Sequence, residues 1–356
     1  MEYKVTRTWA EINLDNIAHN VREIRRIVGK RTEIMAVVKA DAYGHGVLET
    51  VSTLLENGTT RLAVSMLDEA IQLRKTGIDV PILVLSHTHP KRADELIKYQ
   101  ITQTVYSHDM AKALSDEAMR QGVKAKIHIK IDTGMGRVGF PPGYSAVKAV
   151  MEIQKLPGIT IEGIFSHFAT ADEEDGSYTM HQMELFESII SELNRIGILI
   201  PIRHISNSAA ILQYPEFAME LVRPGIILYG IYPSDDVKKD VADLRPAMTL
   251  KSNIAMLKWV EPGTDISYGR KFTTARKSLI ATLPVGYADG YSRLLSGKSR
   301  VLVNGQFAPV VGSICMDQCM VDVTEIEGDI KTGDEVVLLG KQGNREITAR
   351  ELAGYM

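Results

Sequence analysis

Eight short β-branched runs alternate with amphipathic helical stretches through the first two thirds of the chain, and this alternation constrains the fold more than any other feature. The runs are Ile34 to Val38, Arg61 to Ser65, Pro81 to Leu85, Ile101 to Tyr106, Lys126 to Ile131, Ile159 to Phe165, Ile202 to Ser206 and Leu221 to Tyr229. Helical patterns lie between them, such as Asp68 to Arg74, closed by Gly77, and Met180 to Arg195, closed by Gly197. Strand, helix and strand in this order make right-handed βαβ units around a parallel sheet. Eight repeats within roughly 200 residues is the count of a (β/α)8 barrel. An open doubly wound sheet is the competing arrangement, but the Gly-x-Gly-x-x-Gly expected after its first strand is missing.

After about Ser234 the pattern changes. Helical periodicity nearly vanishes, and short strands separated by turn signals take over, as in Thr249 to Val260, Leu279 to Pro284 and Val301 to Val303, with Asn304-Gly305 as a hairpin turn. The expected organisation is therefore α/β: an N-terminal (β/α)8 TIM-like barrel over residues 10–234 and a C-terminal mostly-β domain over 235–356, with a strand inside 1–14 as a candidate to pair with the second domain. The stretch from Ser234 to Asp240 has the composition of a solvated linker. Charge narrows the function classes: 41 Lys+Arg against 44 Asp+Glu leave −3, unlike a dedicated nucleic-acid binder. Two cysteines, Cys315 and Cys319, are too few for a disulfide framework or a four-thiolate zinc site and read as small buried hydrophobes in a reducing compartment. The start of the chain lacks the apolar core of a signal peptide, and no apolar run is long enough to span a bilayer, so a cytoplasmic enzyme without a metal is expected.

In a barrel enzyme chemistry gathers where strands end. The first strand ends in Lys39, which leaves apolar Met35-Ala36-Val37-Val38 for a loop of small residues; it is either a snorkelling surface cation or an amine able to form a Schiff base. The fifth ends at Lys130, and Asp132, Thr133, Gly134 and Arg137 follow in a glycine loop able to clamp a carboxylate. The sixth ends in Ser166-His167. The seventh runs from His204 into Asn207-Ser208, which is ordinary helix capping or an anion cradle. The eighth contributes Arg223, Gly225 and Ile226. A lysine on strand one opposite an anion cradle after strands seven and eight matches pyridoxal 5'-phosphate, whose aldehyde and phosphate lie at opposite ends of one molecule. The acidic run Asp172-Glu173-Glu174-Asp175 reads as a solvated loop, since consecutive carboxylates cannot all face one ion.

The residues 36–46, 130–137, 166–172, 266–269, 286–291 and 314–318 together resemble the alanine racemases of the fold-type III pyridoxal phosphate enzymes over nearly the whole chain. That resemblance implies L-alanine to D-alanine interconversion for peptidoglycan by two bases. Lys39 holds the cofactor and serves one face of the substrate Cα; Tyr268, contributed across a homodimer, serves the other. A phenol working as a base near neutrality needs cations around it, and the resemblance assigns that setting to His167 and Arg137, with Arg137 also near the substrate carboxylate. It further implies that Tyr43, Ser208, Gly225 and Ile226 anchor the phosphate, with Asn207 beside them. Arg223 faces the pyridine nitrogen with His204 orienting it, Met316 comes from the partner, and Lys130 is a candidate for carbamylation. Ser313 departs from the arginine that many relatives carry at the substrate entrance. A further family tyrosine lies beyond Met356, and Tyr355 is outside the matching motif, so alanine against serine preference stays open. The rival readings are a serine racemase or decarboxylase of the same architecture and a non-catalytic pyridoxal phosphate-binding barrel. The β-rich domain with Tyr268 and Met316 speaks against the last of these.

Overall fold

The computed structural model describes residues 7–356. The chain folds as two compact units, Leu14–Arg245 and a second formed by Met1–Asn13 with Pro246–Met356. Of the span 1–14 expected to hold a strand, residues 1–6 lie outside the described residues. The described chain opens with β1 (Thr8–Ile12), which belongs to the second unit.

The first unit is a parallel barrel wrapped by helices. Its strands are β2 (Glu33–Val37), β3 (Arg61–Val64), β4 (Ile82–Val84), β5 (Thr102–Val105), β6 (Ala125–Lys130), β7 (Ile159–Phe165), β8 (Ile202–His204) and β9 (Leu221–Val222). They are ordered β8-β7-β6-β5-β4-β3-β2-β9, each pair parallel. Beyond the ends of β8 and β9 the Arg223 N–H donates to the Ser206 carbonyl at 3.0 Å and draws the ring nearly closed. The helix Leu14–Val28 shows why the outer layer forms: Ile17, Val21 and Ile24 recur on one face and are buried, each contributing roughly 1.5–3 kcal/mol. Asn20 on the same face donates to the carbonyls of Leu228 and Arg245, so its polar group is satisfied where it is buried.

Two expectations need correction. The eighth strand, expected over Leu221 to Tyr229, stops after Val222: Pro224 has no N–H to give a ladder, and the chain turns into a short 3-10 segment at Ile226–Tyr229. The change of unit falls after Arg245 rather than after Ser234, because 235–245 folds back on the first unit. There Arg26 donates to the Val241 carbonyl at 2.6 Å and Gln213 to the Asp236 carbonyl at 3.0 Å.

The second unit is antiparallel. Its strands are β10 (Met248–Asn253), β11 (Met256–Val260), β12 (Asp265–Ile266), β13 (Phe272–Thr273), β14 (Ser278–Leu283), β15 (Arg300–Val303), β16 (Gln306–Val311), β17 (Cys319–Asp322), β18 (Glu335–Gln342) and β19 (Arg345–Ile347). The run Thr249 to Val260 is thus two strands, β10 and β11, broken after Asn253. β1 pairs with β10 from Thr8↔Ser252 to Ile12↔Met248. Asn304 and Gly305, with φ of 50° and 71°, make the two-residue turn between β15 and β16. The core gathers Leu283, Val301, Val310, Val321 and Leu338 around the buried thiol of Cys319. Burial pushes that thiol up to about 12, so it behaves as a small apolar group. Among the described residues no helix is long and apolar enough to cross a membrane.

Candidate active site

Lys39 follows the last residues of β2, and the chain then makes an unusual turn. Ala40, Asp41, Ala42 and Tyr43 all have φ between 51° and 56°, one turn of left-handed helix built from side-chain-bearing residues. Each such residue costs roughly 1–2 kcal/mol, so the turn persists only where its surroundings fix it. They do so on several sides. The Ala40 N–H donates to Glu69 Oε1 at 2.6 Å, the Val47 N–H to Asp41 Oδ1 at 2.8 Å, and the Gly46 N–H to the Asp41 carbonyl at 3.1 Å. The turn brings Tyr43 back beside Lys39 on one cavity of about 530 Å³, within the usual range for small-molecule sites.

Lys130, Arg137, His167, Asn207, Ser208, Arg223, Gly225 and Ile226 line the same cavity. The loop after β6 is shaped around Asp132, whose Oδ1 accepts from the N–H groups of Gly134 and Gly136. Gly139 (φ 137°) has no room for a side chain, since a Cβ would stand 2.6 Å from the Asp132 nitrogen. Past the end of β9, beside β2, the Gly225 N–H donates to Ser208 Oγ at 2.8 Å, and Asn207 caps the following helix by accepting from the Ala210 N–H. A Cβ on Gly225 would lie 2.7 Å from Tyr43 Oη, so glycine leaves the tyrosine its place.

The electrostatics are cationic. Arg223 is 3% exposed and donates to His204 Nδ1 at 2.7 Å, to the carbonyls of Ser166 and Ile205, and to His167 Nδ1 at 3.2 Å. Burial, helped by the charge of Arg137, lowers its pKa to about 9, which still leaves the guanidinium protonated at neutral pH. Burial and the charges of Arg223 and Arg137 bring Lys130 down to about 7. Its ammonium donates to the Ile131 carbonyl at 2.7 Å rather than pairing with a loop acid. The expected cationic role of His167 is overturned: burial, then Arg223, Arg137, Lys130 and Lys39, hold its pKa well below the imidazole range, so the ring is neutral. Of the two groups expected to supply positive charge, Arg137 is the one that carries it.

His204 does not line the cavity; it lies buried behind Arg223. Tyr268 and Met316 belong to the second unit, where they are 71% and 60% exposed. Their loops are joined by Ser313. Its Oγ donates to the Tyr268 carbonyl at 2.9 Å, and its carbonyl accepts from Ser267 Oγ at 2.5 Å. Asp172 of the acidic run reaches the cavity edge. Cavity residues that strand-end reading passed over are Ser65 and Tyr106, directly after β3 and β5, Ser86 and His87, just beyond β4, and Phe165 at the end of β7. Reading the ends of strands two to four as closely as the others would have found the first four.

A strand-end lysine, a cationic cavity at the C-terminal mouth of a (β/α)8 barrel and an antiparallel second unit make up the architecture that the resemblance to fold-type III pyridoxal phosphate enzymes implies. Profiles of the alanine racemase N-terminal domain and C-terminal domain match residues 12–233 and 247–356. Alanine racemase 1 of Clostridium acetobutylicum is 53% identical over 97% of this chain and 89% of its own length. The structure of an alanine racemase from Clostridium difficile 630 superposes with a TM-score of 0.94 at 47% identity, covering 98% of this chain and 90% of that one. A histidine racemase from Leuconostoc mesenteroides shares the fold at a TM-score of 0.87 and 31% identity, over 100% of this chain and 93% of that one. The chain belongs to the alanine racemase family and is a racemase.

Proposed function

We propose that this chain interconverts L-alanine and D-alanine with pyridoxal 5'-phosphate in the barrel mouth, supplying D-alanine for peptidoglycan. The observation that carries this reading is the convergence of Lys39, Tyr43, Ser208, Gly225 and Arg223 on one cavity, an amine together with hydroxyls and a close-approach glycine. These residues fit the cofactor. Gly225 leaves Tyr43 Oη and the backbone within reach of an anion, and Lys130, Arg137 and Arg223 offset its charge. When bound, pyridoxal phosphate supplies an electron sink that acidifies the Cα proton of an amino acid.

Lys39 would supply the amine that holds the cofactor aldehyde, and its free amine would take and return a proton on one face of the substrate Cα. Tyr268 of a second copy serves the other face; its exposure, and that of Met316, support a homodimer with shared sites. Arg137 holds the substrate carboxylate and, as a cation, favours the phenolate form of a facing tyrosine. Arg223 keeps its proton, so it would offer a hydrogen bond to the cofactor's ring nitrogen without protonating it, which would restrain side reactions that a stronger sink favours. Two unpaired thiols support a cytoplasmic enzyme.

The test is borohydride reduction and peptide mapping of protein loaded with pyridoxal phosphate, beside a chiral assay over alanine, serine, histidine, lysine and ornithine. A reduced label on Lys39 and fastest turnover of alanine are expected. A label elsewhere removes the assignment of Lys39, faster turnover of another amino acid corrects the substrate, and no racemisation of any overturns the reading.

A further inference from the structure

Arg223 presents an electrostatic problem that its immediate contacts do not solve. It is a fully buried cation, and its acceptors are two neutral imidazoles and two backbone carbonyls, with no carboxylate among them. A buried charge without compensation is costly. A polar line through the barrel leads from it to an anion. Arg223 donates to His204 Nδ1 at 2.7 Å; His204 Nε2 lies 2.8 Å from His128 Nδ1; His128 Nε2 lies 3.3 Å from Glu162 Oε2. Glu162 is in turn held by Arg61 at 3.1 Å and Lys126 at 3.2 Å.

The ends of this line determine every proton in it. A guanidinium only donates, so His204 Nδ1 must be bare and its Nε2 must carry the hydrogen. That hydrogen points at His128 Nδ1, which must also be bare, leaving Nε2–H of His128 to donate to the carboxylate. Both imidazoles are kept neutral by burial, and the bond from His128 with the Arg61 charge holds the Glu162 carboxyl down to about 2. All donors therefore run one way, from Arg223 to Glu162, the arrangement in which each bond polarises the next.

The fold makes room for this line. A Cβ on Gly163 would lie 2.5 Å from His128 Nδ1, and Phe165 stacks on His204 with ring centres 4.7 Å apart and planes 4° from parallel.

We propose that Glu162, His128 and His204 are positioning residues: a directed carboxylate–imidazole–imidazole chain that fixes the acceptor nitrogen of His204 and through it the Arg223 guanidinium in the cavity wall. As a statement about catalysis this rests on the function proposed above, with Arg223 against the cofactor ring; as a statement about the chain itself it does not.

The experiment keeps the two apart. Long-range 15N spectra of cofactor-free protein at neutral pH read the tautomers directly, and both His128 and His204 should carry their hydrogen on Nε2. In Glu162→Leu the His204 Nδ1 resonance should move toward that of an unbonded ring nitrogen, because its acceptor strength falls, and Glu162→Gln, which keeps an acceptor, should move it less. Either histidine found with hydrogen on Nδ1, or a His204 resonance unmoved in Glu162→Leu, overturns the chain. In loaded protein the pyridoxamine phosphate formed per racemisation event should rise roughly fivefold in Glu162→Leu, with Glu162→Gln between that variant and the parent. This ratio comes from the folded fraction alone, so a merely structural role would leave it unchanged, and an unchanged ratio overturns the positioning role. Absence of racemisation in the parent would instead strike the proposed function, and the spectra would still decide the chain.

Discussion

Replacing Lys130 by methionine should stabilise the protein at neutral pH and abolish part of its pH dependence. Lys130 is 3% exposed, and its pKa falls from 10.5 to about 7. Between those values the unfolded chain holds a proton that the folded chain has released, so the unfolded state binds more protons and stability rises with pH. Below about 7 both states are protonated and the whole burial penalty is present; above about 10.5 neither is, and it is gone. At 1.36 kcal/mol per pKa unit the penalty is about 5 kcal/mol at its upper limit, and relaxation of the site reduces it to a few. Lys130→Met should thus gain stability of that order at or below neutrality and show a flatter rise toward alkaline pH. Urea unfolding of cofactor-free protein in CO2-free buffer, at steps from pH 6.5 to about 10, measures both slopes. If the parent and the variant have parallel stability curves across this range, Lys130 does not carry the buried-charge penalty.

Other expectations follow from the same site. With about half of Lys130 neutral at pH 7, 13C-bicarbonate should add a carbamate carbonyl signal to the parent protein that is missing from Lys130→Met. Gly225→Ala places a Cβ 2.7 Å from Tyr43 Oη; the tyrosine must swing, so pyridoxal phosphate affinity, followed by fluorescence titration, should fall roughly tenfold for a loss of about 1.4 kcal/mol while Tm changes little. Gly139→Ala meets the Asp132 backbone at 2.6 Å and φ of 137°, so it should lower stability by roughly 1–3 kcal/mol in denaturant unfolding. Coexpressed Lys39→Ala and Tyr268→Ala chains should regain racemase activity in verified heterodimers, each with one intact shared site; no recovery there counts against composite sites.

Much of the barrel was legible because its signal is local. Apolar periodicity switches between strand and helix eight times, and each strand end then places a side chain at the mouth without any knowledge of distant contacts. Lys39, Lys130, His167, Ser208, Arg223 and Gly225 were readable in this way, Tyr43 came only from the family resemblance, and all meet on one cavity. What stayed hidden depends on groups far apart in sequence. Nothing in Ala40-Asp41-Ala42-Tyr43 announces a left-handed turn, since these residues disfavour it and the compensating bond to Glu69 comes from 29 positions away. The shift of the unit boundary to Arg245 is decided by hydrogen bonds of 235–245 with a helix more than two hundred residues earlier. Protonation was likewise out of reach. His167 is neutral, and Lys130 titrates near 7, because the fold crowds cations together away from water. His128 and Glu162 looked like ordinary residues of two strands until parallel pairing of β6 with β7, and of β7 with β8, aligned them with His204 and Arg223. Sequence determines which side chains a strand can offer; dielectric, neighbouring charge and hydrogen-bond direction belong to the packed interior, and only the tertiary structure decides them.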